Sequence, residues 1–382
     1  MLAVAGLLRK KRRRGFAAWG LALALAALVL TGGLLYADHY LTGKMTTDDD
    51  FDSLSASDLH QTATEADGRL EREERFSEAL SGLEEQLADL PSFTEVDRYL
   101  LSNNDIPAEA LAKLDTGKAP RSSYLSSDAS KIQVFVLFGL DGVDSSDSVM
   151  LVALDRVHQK IKLISLARDS YVFIPEYGFF SKLAYSYTWG GAAMAVKNLN
   201  YNYYLNVSDY IAVDFEQLAE IIDRIGGVTV NIDEDEARYL SGYPNVHVGD
   251  CLLDGETAVS YARIRKSSAT DSDRKRTGRQ REVILSILNT LQTMPLSQYP
   301  GFVRDCLGMC ATSFEAETLL TMAAETLGQN YTVEQYFFPE GQVGWWAGLI
   351  KEYFYYVYDL RRASDRIYRI IYEELYISGY DD

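Results

Sequence analysis

Apolar and polar positions change their pattern three times along the chain. From Gly15 to Ala37 the stretch GFAAWGLALALAALVLTGGLLYA carries no charge. As a helix it rises about 34 Å, enough to cross the hydrocarbon core of a membrane, and it is longer than the apolar region of a cleaved signal peptide. RKKRRR at 9–14 precedes it and Asp38 follows, so the positive-inside rule leaves the N-terminus in the cytoplasm. The pattern predicts a basic cytoplasmic segment over 1–14, an uncleaved transmembrane signal anchor over 15–37, and a main domain outside the cell membrane.

Residues 38–131 are polar and acidic and read as a stalk or linker. Within them Phe76, Leu80, Leu83, Leu87 and Leu90 recur every three or four residues and predict a helix over 71–90 with a narrow apolar stripe. Such a helix serves as a stalk, a self-association seam or a helix laid on the main domain. A shorter helix is expected over 106–116, and SSYLSSDASK at 122–131 has linker composition.

The third pattern begins at Gln133. QVFVLFGL (133–140), 148–154 and 161–166 are nearly continuous apolar runs of strand length, as expected for strands covered on both faces, with a turn at 156–159 between the last two. A helix is expected from Gly190, a strand over 210–213, and a helix from Phe215 that stops at Gly226-Gly227. Val228–Ile232 returns to strand. Beyond it, 282–294, 318–327 and 362–375 read as helices, and 331–338 and 353–358 as strands. The alternation predicts an α/β fold: a layered α-β-α sandwich on a central mixed sheet, with a core over 132–294 and a C-terminal α/β extension over 295–382 packed on it. The tyrosines of 353–376 are expected on half-buried surfaces.

Charge narrows the function. Lys and Arg number 37 against 55 Asp and Glu, a net −18; taking away the six cations of 9–14 leaves −24 outside the membrane, which argues against nucleic acid as a partner. The four histidines show no metal-ligand spacing, and three cysteines are too few for a disulfide framework. Cys306 and Cys310 are expected to pack rather than bridge, and Cys251 to be buried.

Against this acidic background RIRKSSATDSDRKRTGRQR (263–281) concentrates positive charge. Arginine's planar fork matches phosphate oxygens, which points to a phosphorylated ligand. Arg263 and Arg265 alternate, so on an extended segment they share a side; Asp273, Arg276 and Gln280 share a helical face, with Arg279 beside them. Two further segments converge on the same end of the sheet. Asp141 and Asp147 lie in a loop between two strands, where two carboxylates suit a hard cation such as Mg²⁺. Arg168-Asp169 follow the third strand. No G-x-S-x-G, G-x-x-x-x-G-K-[ST] or strand-linked G-x-G-x-x-G is present, so serine-hydrolase, ATPase and dinucleotide readings lack support.

DSVMLVALD (147–155), ISLARDSYVFIPEYG (164–178), DYIAVDFEQLAEIIDRIGGVTVNI (209–232), LDGETAVSYARIR (253–265) and DSDRKRTGRQREVI (271–284) together resemble the LytR-CpsA-Psr family. The resemblance implies an α/β sandwich with a hydrophobic pocket for a polyprenyl chain. It implies a phosphotransferase moving a glycan phosphate from a polyprenyl (undecaprenyl) diphosphate carrier to peptidoglycan, Mg²⁺-dependent with Mn²⁺ as the alternative, in a Gram-positive-type envelope. Carried over by residue, Asp141 and Asp147 are the metal carboxylates; Arg168, Arg263, Arg265, Arg276, Arg279, Gln280 and Lys182 meet the diphosphate; Asp273, with Arg265 and Arg276, performs the catalysis. Ser145 stands where the family has an arginine, leaving Lys182 or Lys266 to supply that phosphate contact. A non-catalytic lipid-diphosphate sensor or scaffold and a pyrophosphate hydrolase are the alternatives.

Overall fold

The computed structural model describes residues 125–377, apart from 142–145, 178, 266–268, 296–297, 308, 328–330 and 352. The anchor at 15–37 and the helices expected at 71–90 and 106–116 lie outside the described residues; among those described, no helix is long and apolar enough to cross a membrane.

The first three apolar runs form strands β1 (Ile132–Leu140), β2 (Ser146–Asp155) and β3 (Lys160–Leu166), with a turn at 156–159 in which Gln159 takes a positive φ. A hairpin that the hydrophobic pattern did not resolve follows, β4 (Tyr171–Ile174) and β5 (Phe179–Lys182). Helix α1 (Tyr185–Tyr203) starts five residues before Gly190, the expected first residue, and breaks at Gly190 and Gly191, whose φ of −156° and +61° are not helical. Next come β6 (Tyr210–Asp214) and α2 (Phe215–Arg224), opened by a reciprocal cap between Asp214 and Gln217 and closed by Gly226 and Gly227 at positive φ.

Strands β7 (Val228–Ile232) and β8 (Gly249–Leu253) flank α3 (Glu234–Tyr239). Helix α4 (Gly255–Arg263) starts at an Asp254 cap. The long α5 (Ala269–Thr293), α6 (Tyr299–Leu307), β9 (Ala311–Thr312), α7 (Ala316–Leu327), β10 (Thr332–Phe338), the hairpin β11 (Trp345–Ile350) and β12 (Tyr353–Tyr358), and α8 (Leu360–Tyr372) complete the order.

The central sheet is mixed, in the order β10-β3-β2-β1-β6-β9, with β10 parallel to β3, β1 parallel to β6 and the remaining pairs antiparallel. Strand alternation sorts its apolar residues onto two faces. Val136, Phe138, Leu151 and Ile164 pack with α1 and α8, whereas Phe135, Met150, Val152 and Leu163 pack with Ile284 and Leu288 of α5 and Met322 of α7. The C-terminal segment joins this sheet through β9 and β10. A second, smaller core lies between the β7–β8 hairpin and helices α2, α4 and α5. There α4 meets α2 backbone to backbone: a Cβ on Gly255 would sit 2.1 Å from the Ala219 carbonyl oxygen.

The tyrosines correct an expectation. Tyr355, Tyr356 and Tyr358 are fully buried rather than half-buried. The Tyr358 hydroxyl bonds those of Tyr203 and Ser170 at 2.6 and 2.9 Å, which satisfies polar tips inside the core. Burial raises Tyr203 to about 12. The cysteines form no disulfide, Cys251 is buried, and burial pushes the Cys306 and Cys310 thiols up to about 12.

Candidate functional site

At one end of the sheet the β1–β2 ladder slips. Gly139 opposes Ser148, yet Leu140 opposes Ser146, which makes Asp147 the extra residue of a bulge. Bulges re-aim side chains, and this one depends on Gly139, where a Cβ would come within 3.0 Å of the Ser148 Cβ. On the other side of β2 the pairing Val149↔Leu166, continued two residues, sets Arg168 opposite Asp147.

Three arginines from three segments converge on one carboxylate oxygen. Asp147 Oδ1 is contacted by Arg168 Nη1, lies 3.6 Å from Arg265 Nη2 and 3.7 Å from Arg276 Nη1. Arg276 Nη2 also donates to the Asp147 carbonyl at 3.4 Å. Arg168 Nε reaches Asp169 at 3.7 Å, and Asp169 in turn holds Lys182 Nζ at 2.7 Å. Lys182 lies 5.5–5.9 Å from the rings of Tyr185, Tyr353 and Tyr355. Four cations thus share two carboxylates in this network. They gather in a chain whose net charge is −18.

The other expected residues are placed differently. Arg263 is not on an extended segment. It is the last residue of α4, and its guanidinium lies over the Phe215 ring at 4.5 Å. Arg279, expected at the diphosphate, turns to Glu236 (Nε to Oε1, 2.7 Å) and to the Ile264 carbonyl (3.1 Å). Gln280 is buried with its amide oxygen unpaired among the described residues. Asp141 follows the last residue of β1, half-buried. Asp273 lies in α5 with its side chain outside the description, as are Ser145 and Lys266. Arg281 serves as a strut between helix and sheet, donating to Ser165 at 2.9 Å and Gln335 at 3.2 Å; burial lowers it to about 10.

Next to Asp147 in the chain, Ser146 lines a closely packed apolar seam with Phe138, Val149, Leu183, Tyr187 and Leu199, too tight to admit a water molecule. Tyr187 projects from the turn of α1 before the Gly190-Gly191 break and packs on Phe138, ring centroids 5.0 Å apart.

Asp147 offers a carboxylate to a hard cation, and the three arginine contacts to it use Oδ1. Carboxylate oxygens are the ligands Mg²⁺ takes. A second acidic group, Asp155, His158 and Glu373, gathers at the far end of β2 and β3, with ligand atoms within 4.8 Å. Histidine spacing gave no sign of it. Here ammonium groups hold the carboxylates instead: Lys162 Nζ, fully buried, lies 2.8 Å from Asp155 and 2.9 Å from Glu373, and Lys160 lies 2.7 Å from Glu373.

A family match spans residues 104–367, described as the LytR_cpsA_psr family. The chain belongs to the LytR-CpsA-Psr family. Among relatives, it is 30% identical over 230 residues to the Oceanobacillus iheyensis polyisoprenyl-teichoic acid–peptidoglycan teichoic acid transferase TagU, covering 57% of this chain and 69% of that one. It is 31% identical over 184 residues to Staphylococcus aureus regulatory protein MsrR, covering 46% of this chain and 54% of that relative, about half its length. The fold is similar to Bacillus subtilis YwtF (TagT) with bound octaprenyl pyrophosphate lipid, at TM-score 0.51 and 18% identity over 68% of this chain and 98% of that one. The family's architecture, a mixed central sheet with helices, is the one described above. Of the expected site residues, Arg168, Arg265, Arg276, Lys182 and Asp147 come together. Glu236 was missed, although its place three residues after Asp233 is a capping-box signal.

Proposed function

We propose that this chain is a membrane-anchored, extracytoplasmic glycopolymer phosphotransferase. It moves a glycan phosphate from a polyprenyl (undecaprenyl) diphosphate carrier to peptidoglycan. The observation that carries the reading is the convergence of Arg168, Arg265 and Arg276 on Asp147, with Lys182 joined to them through Asp169. The TagU name of a relative and the octaprenyl pyrophosphate bound by a protein of the same fold support it.

In this reading Arg168, Arg265, Arg276 and Lys182 bind the diphosphate. Asp147 and Asp141 would hold Mg²⁺, which would neutralise charge on phosphate oxygens. Asp273 takes the proton of the incoming sugar hydroxyl. The oxygen of that hydroxyl bonds to the glycan-bearing phosphorus, and the bond to the bridging oxygen breaks, releasing polyprenyl monophosphate. The leaving oxygen gathers negative charge, and in this reading the buried guanidinium of Arg276 stabilises it.

The test is to incubate the purified full-length chain in detergent with a polyprenyl-diphosphate glycan, Mg²⁺ and peptidoglycan fragments. Glycan attached to the fragments supports the transferase. Release of polyprenyl monophosphate without acceptor makes the chain a hydrolase, and retention of unchanged lipid makes it a sensor or scaffold.

A further inference from the structure

Arg265 is the most exposed of the three arginines at Asp147, with 55% of its side chain accessible against 22% for Arg168 and 3% for Arg276. A long exposed side chain binds an anion well only if its backbone is fixed, because otherwise ordering it consumes the gain. The fixing is done one residue earlier. Ile264 is fully buried, its N–H donates to the Tyr261 carbonyl at 3.2 Å, and its own carbonyl accepts from Arg279 Nη1 at 3.1 Å.

Arg279 is itself held by a carboxylate with both oxygens assigned. Glu236 Oε1 accepts from Arg279 Nε at 2.7 Å, and Oε2 accepts from the Asp233 N–H at 2.9 Å as half of the capping box of α3. Both side chains are buried, Glu236 at 7% and Arg279 at 4% exposed. A capping box needs one acceptor oxygen. The second reaches across 43 residues to an arginine, and a buried ion pair of this kind is weak as a source of stability compared with apolar packing. What it provides is a fixed direction.

We infer that Glu236 is a positioning residue for diphosphate binding: it orients Arg279, which pins the Ile264 carbonyl and thereby aims Arg265 at the anion. The inference rests on the function proposed above and assigns Arg279 a supporting part rather than a direct contact.

The probe is inorganic pyrophosphate, titrated calorimetrically into the full-length chain in detergent, for wild type, Glu236→Gln, Arg265→Ala and the double variant. Glutamine offers one acceptor oxygen where two are used, so it cannot serve both the cap and Arg279. Glu236→Gln is expected to weaken pyrophosphate about tenfold, the scale of one charge-assisted contact. Arg265→Ala is expected to do the same, and the double variant to be no weaker than Arg265→Ala alone. Arg279→Lys, which keeps the charge but not the fork that reaches two acceptors, should reproduce the weakening and covers the case in which Glu236→Gln folds poorly. A lowered melting temperature with unchanged pyrophosphate affinity would overturn the inference, as would equal losses in the presence and absence of Arg265. Failure of the wild type to bind pyrophosphate would overturn the proposed function itself, and this inference with it.

Discussion

Arg276 holds Asp147 from 129 residues further along the chain, with Nη1 3.7 Å from the carboxylate and Nη2 3.4 Å from the backbone carbonyl. The helix that carries the arginine and the bulge that carries the aspartate therefore define one another's position. Arg276 is almost wholly buried, so its charge acts in a low dielectric where it counts for most. Replacing it with alanine should lower transfer by about 10²–10³-fold, the loss seen when one preorganised donor to a developing charge is removed. Arg276→Lys should recover only part, because a point charge cannot make both contacts. Steady-state rates of the two variants check this.

In the proposed function Asp147 would compete with a bound anion for the three guanidinium groups that contact it. Asp147→Asn removes a negative charge from among them and a cation ligand at once. The variant should bind pyrophosphate at least as tightly as wild type in the presence of chelator, while transfer in Mg²⁺ is lost. Calorimetry and product assays on one preparation separate the two effects; weaker metal-free binding would mean that Asp147 organises the arginines more than it opposes the ligand.

Gly255 sets how closely α4, which ends at Arg263, lies on α2. A methyl group there would meet the Ala219 carbonyl at 2.1 Å, with backbone rather than a flexible side chain on the other side. Gly255→Ala should cost about 3 kcal/mol, at the upper end of ordinary overpacking, read as a shift in the denaturation midpoint. Weakened pyrophosphate binding should accompany it.

At the far end of the sheet, hydrogen bonding to Asp155 raises the His158 imidazole above its ordinary 6.5; burial opposes this, and Glu374 adds to the rise. A group raised on folding contributes stability that is complete below the unfolded value and fades as pH climbs through the folded one. Asp155 and Glu373 have lowered values despite burial, because Lys162, Lys160 and His158 hold their charged forms. They stay ionised across that window and add no slope there. Stability should fall as pH rises above 6.5, and His158→Gln should flatten the profile in denaturation curves taken at about pH 6 and pH 8.5.

Legibility in the sequence followed periodicity. Continuous apolar runs marked β1, β2 and β3, and Gly226-Gly227 marked the end of α2, because burial on two faces and a positive φ each leave a composition signal. Arg168, Arg265 and Arg276 were legible because a strand exit and an arginine cluster are local features. The bulge at Asp147 was not, since a one-residue register slip changes no residue type. Arg263 was misplaced because α4 runs through it, and α4 has a mixed polar pattern that reads as neither helix nor strand. Arg279 was assigned to the ligand because a helical face specifies direction only to within a turn, and the partner it has in the structure, Glu236, comes from a different element. The histidine-carboxylate-lysine group at Asp155 depends wholly on strand pairing and on the docking of α8.

The most direct measurement of the central claim is mass spectrometry of the wild-type reaction with polyprenyl-diphosphate glycan and peptidoglycan fragments, run with and without acceptor and with and without chelator. The expected result is glycan phosphate attached to the fragments and polyprenyl monophosphate released in equal amounts, only when acceptor and Mg²⁺ are both present. Release that proceeds equally well without acceptor, or lipid that stays bound and intact with every component supplied, would contradict it.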